Sequence, residues 1–371
     1  MSEQTKTRKI EHIEIVLKEN VDPGYSTLLD QVFLEHNSSP NLSIDDIDLS
    51  IMFLGKRISA PIMIAGMTGG HPETTRINEA LAEIAEELNI AMGVGSQRAA
   101  LEDPNLKYTF TIVREKAPSI PIIANIGGAQ LVKGYGIKEA RNAISMIKAD
   151  ALAVHLNPAQ EVFQPEGDKD FRGLVKLVEE LVDNLEVPVI IKETGAGLSG
   201  NIAKMFAEIG VEYFDVSGLG GTSWIMVEKY RARGHVLSRI ADTYREWGIP
   251  TAISVIDVIY NVPTAYIIAS GGIRNGLEAA KALALGANVV ALAAPVLRKL
   301  LNDGKNAAKE YLRQLIEEIR IAMFLTGAKR PEELWYSNLS FGYRIISWII
   351  SKNINIQEYN AIRKYRVELN K

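Results

Sequence analysis

Lys192 closes an apolar run, Pro188–Ile191, at a point where an apolar side chain would be the bland choice. An ammonium at the inward end of a strand could form a Schiff base, act as a base once desolvated, or set a cation beside an anionic ligand. It could equally be half of a structural ion pair with Glu193 or Asp215. A second polar cluster, His155-Leu156-Asn157-Pro158-Ala159-Gln160-Glu161, follows Ala151–Val154. His155 is either an acid/base or a satisfied core histidine. A carboxylate such as Glu161 suits Mg²⁺, which often takes one protein carboxylate and completes its shell with phosphate oxygens. Ser270-Gly271-Gly272-Ile273-Arg274-Asn275-Gly276 offers backbone N–H groups and a helix N-terminus to an anion. Ala293-Ala294-Pro295 can add further N–H groups at the start of another helix. Gly66-Met67-Thr68-Gly69-Gly70, Gly95-Ser96-Gln97-Arg98 and Ala124-Asn125-Ile126-Gly127-Gly128 each end a further apolar run, and Arg98 can hold a phosphate bidentately. Arg8-Lys9 with His12 is a basic spot in an acidic chain, either a solvated tail or an arm folded over an anionic substrate.

The elements that must carry these residues recur. Eight short apolar runs, Pro61–Met67, Ile90–Gly95, Pro121–Ala124, Ala151–Val154, Pro188–Ile191, Tyr213–Val216, Ala265–Ala269 and Asn288–Leu292, alternate with helical patterns. Ile77, Leu81, Ile84, Ala85 and Leu88 recur at spacings of three and four, as on one helix face. Such alternation predicts an α/β fold with a parallel sheet, closed as a TIM (β/α)8 barrel whose polar strand ends meet on one face. The expected organisation is an N-terminal arm and barrel-bottom segment (1–60), the barrel (61–300) with a lid-like insertion at 218–263, and C-terminal helices (301–371), in a single domain overall. Ser43–Asp48 is expected as an edge strand or a barrel-bottom hairpin. Phe341–Ile350 is expected either under the barrel or at a subunit interface. Gly195-Ala196-Gly197-Leu198-Ser199-Gly200 imitates a dinucleotide fingerprint, but it lies in the fifth βα unit rather than the first, which favours a barrel loop.

Composition narrows the function classes. The net charge is −4 and no broad basic field exists for nucleic acid or an anionic membrane, so any anion needs a local cluster. Cysteine is absent, which excludes disulfides, thiolate metal sites and thiol nucleophiles. The polar stretch Met1–Lys9 has no apolar signal core and no apolar run reaches 18 residues, so the expected location is the cytoplasm.

Taken in order, these clusters resemble the type 2 isopentenyl-diphosphate isomerase family. The resemblance rests on Arg8-Lys9 with His12-Ile13, Met67-Thr68-Gly69-Gly70, Gly95-Ser96-Gln97-Arg98, Ala124-Asn125, His155-Leu156-Asn157-Pro158 with Gln160-Glu161, Lys192-Glu193 with Gly195, Asp215-Val216-Ser217-Gly218 with Gly220-Gly221-Thr222-Ser223, and Ser270-Gly271-Gly272-Ile273-Arg274. It implies interconversion of isopentenyl and dimethylallyl diphosphates in isoprenoid biosynthesis, with FMN that must be reduced, Mg²⁺, and NADPH or another reductant. It also implies a homo-oligomer, a tetramer or octamer. For the cofactor it points to Ala65, Gly66, Met67, Thr68, Ser96, Asn125, Lys192, Ser217, Thr222, Gly271, Gly272, Arg274, Ala293 and Ala294. For the diphosphate it points to Arg8, Lys9, Ser96, Arg98, His155, Asn157 and Gln160, with Glu161 as metal ligand. Lys192, Gln160 and His155 are the expected catalytic groups.

The reaction is a 1,3-proton shift in an unactivated alkene. Protonation gives a tertiary cation that needs negative charge nearby and no water. An anionic reduced flavin would supply that charge and the proton, Lys192 would stand beside its N1 and C2 carbonyl, and Gln160 would orient the reacting end. The alternative is an FMN-dependent 2-hydroxy-acid oxidoreductase, which would need a His base and an Arg clamp. His235 with Arg239 or Arg274 are its candidates, at poor spacing.

Overall fold

The computed structural model describes residues 3–369, so residues 1–2 and 370–371 of the expected end segments lie outside the described residues. Strands β1 (Ile62–Ile64), β2 (Ala91–Gly93), β3 (Ile122–Gly127), β4 (Ala151–Leu156), β5 (Val189–Glu193), β6 (Tyr213–Asp215), β7 (Tyr266–Ser270) and β8 (Val289–Leu292) form a closed parallel barrel. The ring closes where β8 pairs with β1, Val290 opposite Ile62. The expected strands are all present. Short runs of Val, Ile and Ala suit them because both faces are covered: the barrel interior on one side and helices on the other.

Two cores result. Met63, Ala91, Ile123, Ala153, Ile190, Ile268 and Ala291 fill the barrel, and Phe53 and Ile58 plug its lower end. The plug is an antiparallel hairpin, Ile51–Phe53 with Lys56–Ile58. Its two-residue turn has φ of 49° at Leu54 and 77° at Gly55, the backbone signs a primed hairpin turn requires. Phe53 then stacks on Tyr266 with ring centroids 5.4 Å apart. Ser43–Asp48, expected as a strand or hairpin, is instead the 3₁₀ turn Ile44–Asp46. Ser43 and Asp46 cap it reciprocally, and short polar side chains that bond nearby amides outcompete strand pairing there.

The outer core lies between barrel and helices. Helix Thr74–Leu88 buries Ile77, Leu81, Ile84 and Ala85 and ends at Asn89 in the left-handed conformation. The long connection after β6 holds the helices Trp224–Arg231, Val236–Ile240 and Thr251–Asn261. The last of these packs on helix Gly200–Ala207 as an ordinary barrel helix. At the C-terminal end, helix Ile356–Leu369 lies against the barrel. Arg363 there donates to the Ala284 carbonyl, and Arg366 donates to those of Pro263 and Ala265. In the helix Tyr343–Ser351, Ile345 and Ile349 are buried while Tyr343 and Ile350 are exposed. That segment therefore packs on the body of the protein by one face.

Candidate active site

The C-terminal ends of the strands open into a cavity of about 250 Å³, lined by every residue singled out from the sequence for cofactor, substrate or metal. One wall is built from two interlocked glycine loops. Gly271 and Gly272, after β7, have φ of 99° and 77°. A Cβ on Gly271 would strike the Gly218 carbonyl, and one on Gly272 would strike Gly220. Only glycine lets these loops nest so closely. Asn275 then caps helix Gly276–Ala284, accepting from Glu278 N–H at 2.8 Å. Ala293 leads into helix Ala294–Asp303, with Pro295 in its first turn. The glycine cradle and the N-terminus of helix Ala294–Asp303 thus line one cavity, an arrangement that can hold a phosphate, whereas the Gly276 N–H at the start of the other helix is taken by the Glu318 carboxylate. Arg274 braces the cradle, donating to the carbonyls of Gly272 (2.7 Å) and Gly220 (3.1 Å).

The floor carries polar groups on a rigid base. Asn125 donates to the Val94 carbonyl at 3.0 Å and accepts from His155 Nδ1 at 2.8 Å. Gln97, fully buried, accepts from Asn125 N–H (3.0 Å) and so fixes that strand residue. Burial, then the nearby Lys192 and Lys9 cations, pushes His155 down to about 3. Its ring is therefore neutral, with Nδ1 as donor to Asn125. Lys192 donates to the Glu193 carbonyl at 2.7 Å and lies 3.4 Å from Asp215, so the structural ion pair exists alongside its place in the cavity. Thr68 lines the cavity, and its Oγ1 is buried with no hydrogen-bond partner. Ser217 sits at φ 36°, a strained value for a non-glycine residue.

The same cavity carries a cluster of cations. Arg8 and Lys9, on helix Glu3–Lys18, fold over the mouth and meet Arg98 there. Burial, then Arg8 and Arg98, lowers Lys9 to about 8. Arg98 is held by Glu102 at 2.7 Å. Glu161 accepts from Asn157 (2.9 Å) and from Asp168 N–H (2.6 Å), and Asn157 in turn donates to Gln160 (3.2 Å).

Two carboxylates organise the site; Glu228 was not singled out from the sequence, and Glu193 was named there only alongside Lys192. Glu228, fully buried on helix Trp224–Arg231, accepts from His12 (3.0 Å), Gln160 (3.1 Å) and Arg231 (2.7 Å). The Gln164 amide bridges it to Arg8, at 3.3 and 2.8 Å. Burial opposes ionisation of Glu228, yet the His12 hydrogen bond and the Arg231 guanidinium hold it down at about 2. His12 also packs edge-on to Trp224 at 5.1 Å. A charged residue following the buried run Ile225-Met226-Val227 was the available signal. The second is Glu193. Its carboxylate accepts N–H groups from Thr194, Gly195, Ala196 and Gly197, at 2.5–3.1 Å. The fingerprint-like glycines therefore wrap an internal carboxylate, not a pyrophosphate. His235, the base required by the oxidoreductase alternative, caps helix Val236–Ile240 and does not line the cavity.

Among the described residues no helix is long and apolar enough to cross a membrane. The profile of the FMN-dependent dehydrogenase family matches residues 138–340. The chain is 49% identical to an isopentenyl-diphosphate delta-isomerase of Sulfurisphaera tokodaii, over 97% of this chain and 98% of that one. It is 48% identical to one of Ignicoccus hospitalis, over 95% and 98%. Among solved structures it is similar to mandelate oxidase with (S)-2-phenylpropionate, with a TM-score of 0.61 and 15% identity, covering 91% of this chain and 98% of that one; at that identity the likeness concerns the fold. With near-complete coverage at such identity, the chain belongs to the isopentenyl-diphosphate delta-isomerase family, on the barrel of the FMN-dependent dehydrogenases.

Proposed function

We propose that this chain interconverts isopentenyl and dimethylallyl diphosphates at the barrel mouth, with FMN on the glycine cradle and the diphosphate under the Arg8 arm. The observation that carries this is that the glycine cradle, the Arg8, Lys9 and Arg98 cations and Lys192 all line one cavity. The site fits FMN: the nested loops at Gly271 and Gly272 would offer amides to its phosphate, and binding would give the unpartnered Thr68 hydroxyl a partner. When bound, reduced FMN supplies the acid–base group and the negative charge the alkene cation requires.

The residues of the chain do the rest. Ala65, Gly66 and Met67 would border the ring, Asn125, Ser217 and Thr222 would bond it, and Lys192 would place its ammonium beside it. Arg8, Lys9, Ser96, Arg98 and Asn157 neutralise and orient the diphosphate. His155, neutral and fixed by Asn125, offers Nε2 to a protonated phosphate oxygen or a bound water. Gln160 orients the reacting end, and its amide is aimed by Glu228 on one side and Asn157 on the other. Helix Trp224–Arg231, in the part of the 218–263 segment that precedes the barrel helix Thr251–Asn261, and the arm act as a lid-like cover that excludes water, joined through His12 and Glu228. Among the described residues no three His, Asp or Glu converge as a metal cage. Mg²⁺ is accordingly proposed to use Glu161 and phosphate oxygens. Reduction by NADPH or another reductant, a cytoplasmic location and a tetramer or octamer complete the proposal.

The test is incubation of isopentenyl diphosphate with the protein, dithionite-reduced FMN and Mg²⁺ in deuterated water. Deuterium-labelled dimethylallyl diphosphate is the expected product. Neither label nor isomer, with FMN demonstrably bound, would overturn the assignment.

A further inference from the structure

Parallel pairing sets one cross-strand row in the barrel: His155 opposite Lys192, and Lys192 opposite Asp215. The row lies at the level where the packed interior gives way to the cavity. Asp215 is deeply buried. Its Oδ1 accepts the hydroxyl hydrogen of Ser270. Its Oδ2 has no hydrogen-bond partner and faces Lys192 Nζ at 3.4 Å. Lys192 spends one N–H on the Glu193 carbonyl instead. The contact is therefore ionic rather than a close hydrogen bond. Among the described residues Asp215 is the only carboxylate in ion-pair reach of Lys192. His155 adds no charge, since burial and the Lys192 and Lys9 cations keep its ring neutral. A small apolar cavity of about 10 Å³ beneath the site touches both Lys192 and Asp215. Low-dielectric surroundings of that kind leave the pair weakly screened.

We propose that Asp215 is a positioning and charge-balancing residue: it holds the Lys192 ammonium at the barrel mouth and weakens the positive field that Lys192 exerts on the bound ring. This rests on the reading of Lys192 as the cation beside FMN. A bare lysine would stabilise reduced FMN more strongly and make its ring nitrogens poorer proton acceptors. The carboxylate behind it moderates both effects, which suits a cofactor that must both give and take a proton without net redox. Ser270 keeps the carboxylate from rotating onto the ammonium.

The experiment is the two-electron midpoint potential of the FMN-loaded protein, with Asp215→Asn and Lys192→Met as variants. Asp215→Asn is expected to favour reduced over oxidised FMN at least tenfold, a rise of about 30 mV for a two-electron couple. Its kcat for the reduced enzyme falls while KM for the diphosphate holds. Asp215→Glu keeps the charge and restores a potential near that of the parent. Lys192→Met lowers the potential. If Lys192→Met leaves the potential unchanged, the reading of Lys192 fails and the proposal with it. If Lys192→Met lowers it but Asp215→Asn leaves it unchanged or lowers it, only the Asp215 proposal is overturned. Should Asp215→Asn not fold, Ser270→Ala removes a donor while leaving the carboxylate in place and is expected to lower the potential; an unchanged value there overturns the proposal.

Discussion

Replacing Glu228 by glutamine tests how the site is held together. The carboxylate receives donors on both oxygens: His12 and Gln160 on Oε1, Arg231 on Oε2. A glutamine has one acceptor oxygen. Turned toward Arg231, it presents its NH₂ to the Gln160 amide nitrogen, donor against donor. Turned the other way, it presents NH₂ to the guanidinium. Either choice leaves a buried donor unsatisfied. The stability term follows from the carboxyl itself. Its shift from 4.5 to about 2 corresponds to about 3 kcal/mol at neutral pH. Breaking a buried ion pair from one side costs a similar 3–5 kcal/mol or so. The folded value is depressed, so this contribution is complete above pH 4.5 and is lost as pH falls toward about 2. With an unfolding entropy near 2.1 cal/mol/K per residue over 371 residues, about 3 kcal/mol lowers Tm by roughly 4 °C if the chain unfolds as one unit. Because Gln160 loses its acceptor, kcat falls on the order of 100-fold, the usual cost of a misplaced positioning group. Differential scanning calorimetry at pH 7 and initial rates with reduced FMN read the two effects. A Glu228→Gln protein within 1 °C of the parent and with unchanged kcat would refute the account of the hub.

Three further outcomes are expected. Burial and the Arg8 and Arg98 charges set Lys9 at about 8, so KM for the diphosphate rises as pH climbs past that value while kcat changes little. In Lys9→Gln that limb disappears from a pH 6.5–9.5 rate profile. His155, held near 3, carries no charge at pH 5–8, and kcat/KM shows no limb from it. Its depressed value means that stability falls as pH drops from 6.5 toward 3, a slope that urea titrations should find reduced in His155→Gln. Gly271→Ala forces a Cβ onto the Gly218 carbonyl at φ 99°. A strain of about 1–3 kcal/mol then weakens FMN binding by roughly 5–150-fold in a fluorescence titration.

The sequence alone determined the barrel. Strand length, Val/Ile/Ala content and helical spacing are local properties, and a closed parallel sheet covered on both faces is the arrangement they permit. It also determined the rim, because polar residues at strand ends such as Asn125, His155 and Lys192 reach one face by topology. What tertiary structure decided is which groups face each other across the chain. Glu228 meets His12 at a separation of 216 residues, and no pattern in either neighbourhood encodes that meeting. The Gly195–Gly200 motif reads locally as a phosphate loop, yet its amides close on Glu193 because that carboxylate is buried within the same turn. Likewise Ser43–Asp48 has a strand-like alternation, but its caps are satisfied within the turn and the hairpin forms at Ile51–Ile58, where Phe53 can enter the barrel. Periodicity reports which side of an element is apolar, while long-range hydrogen bonds depend on where two distant elements come to rest.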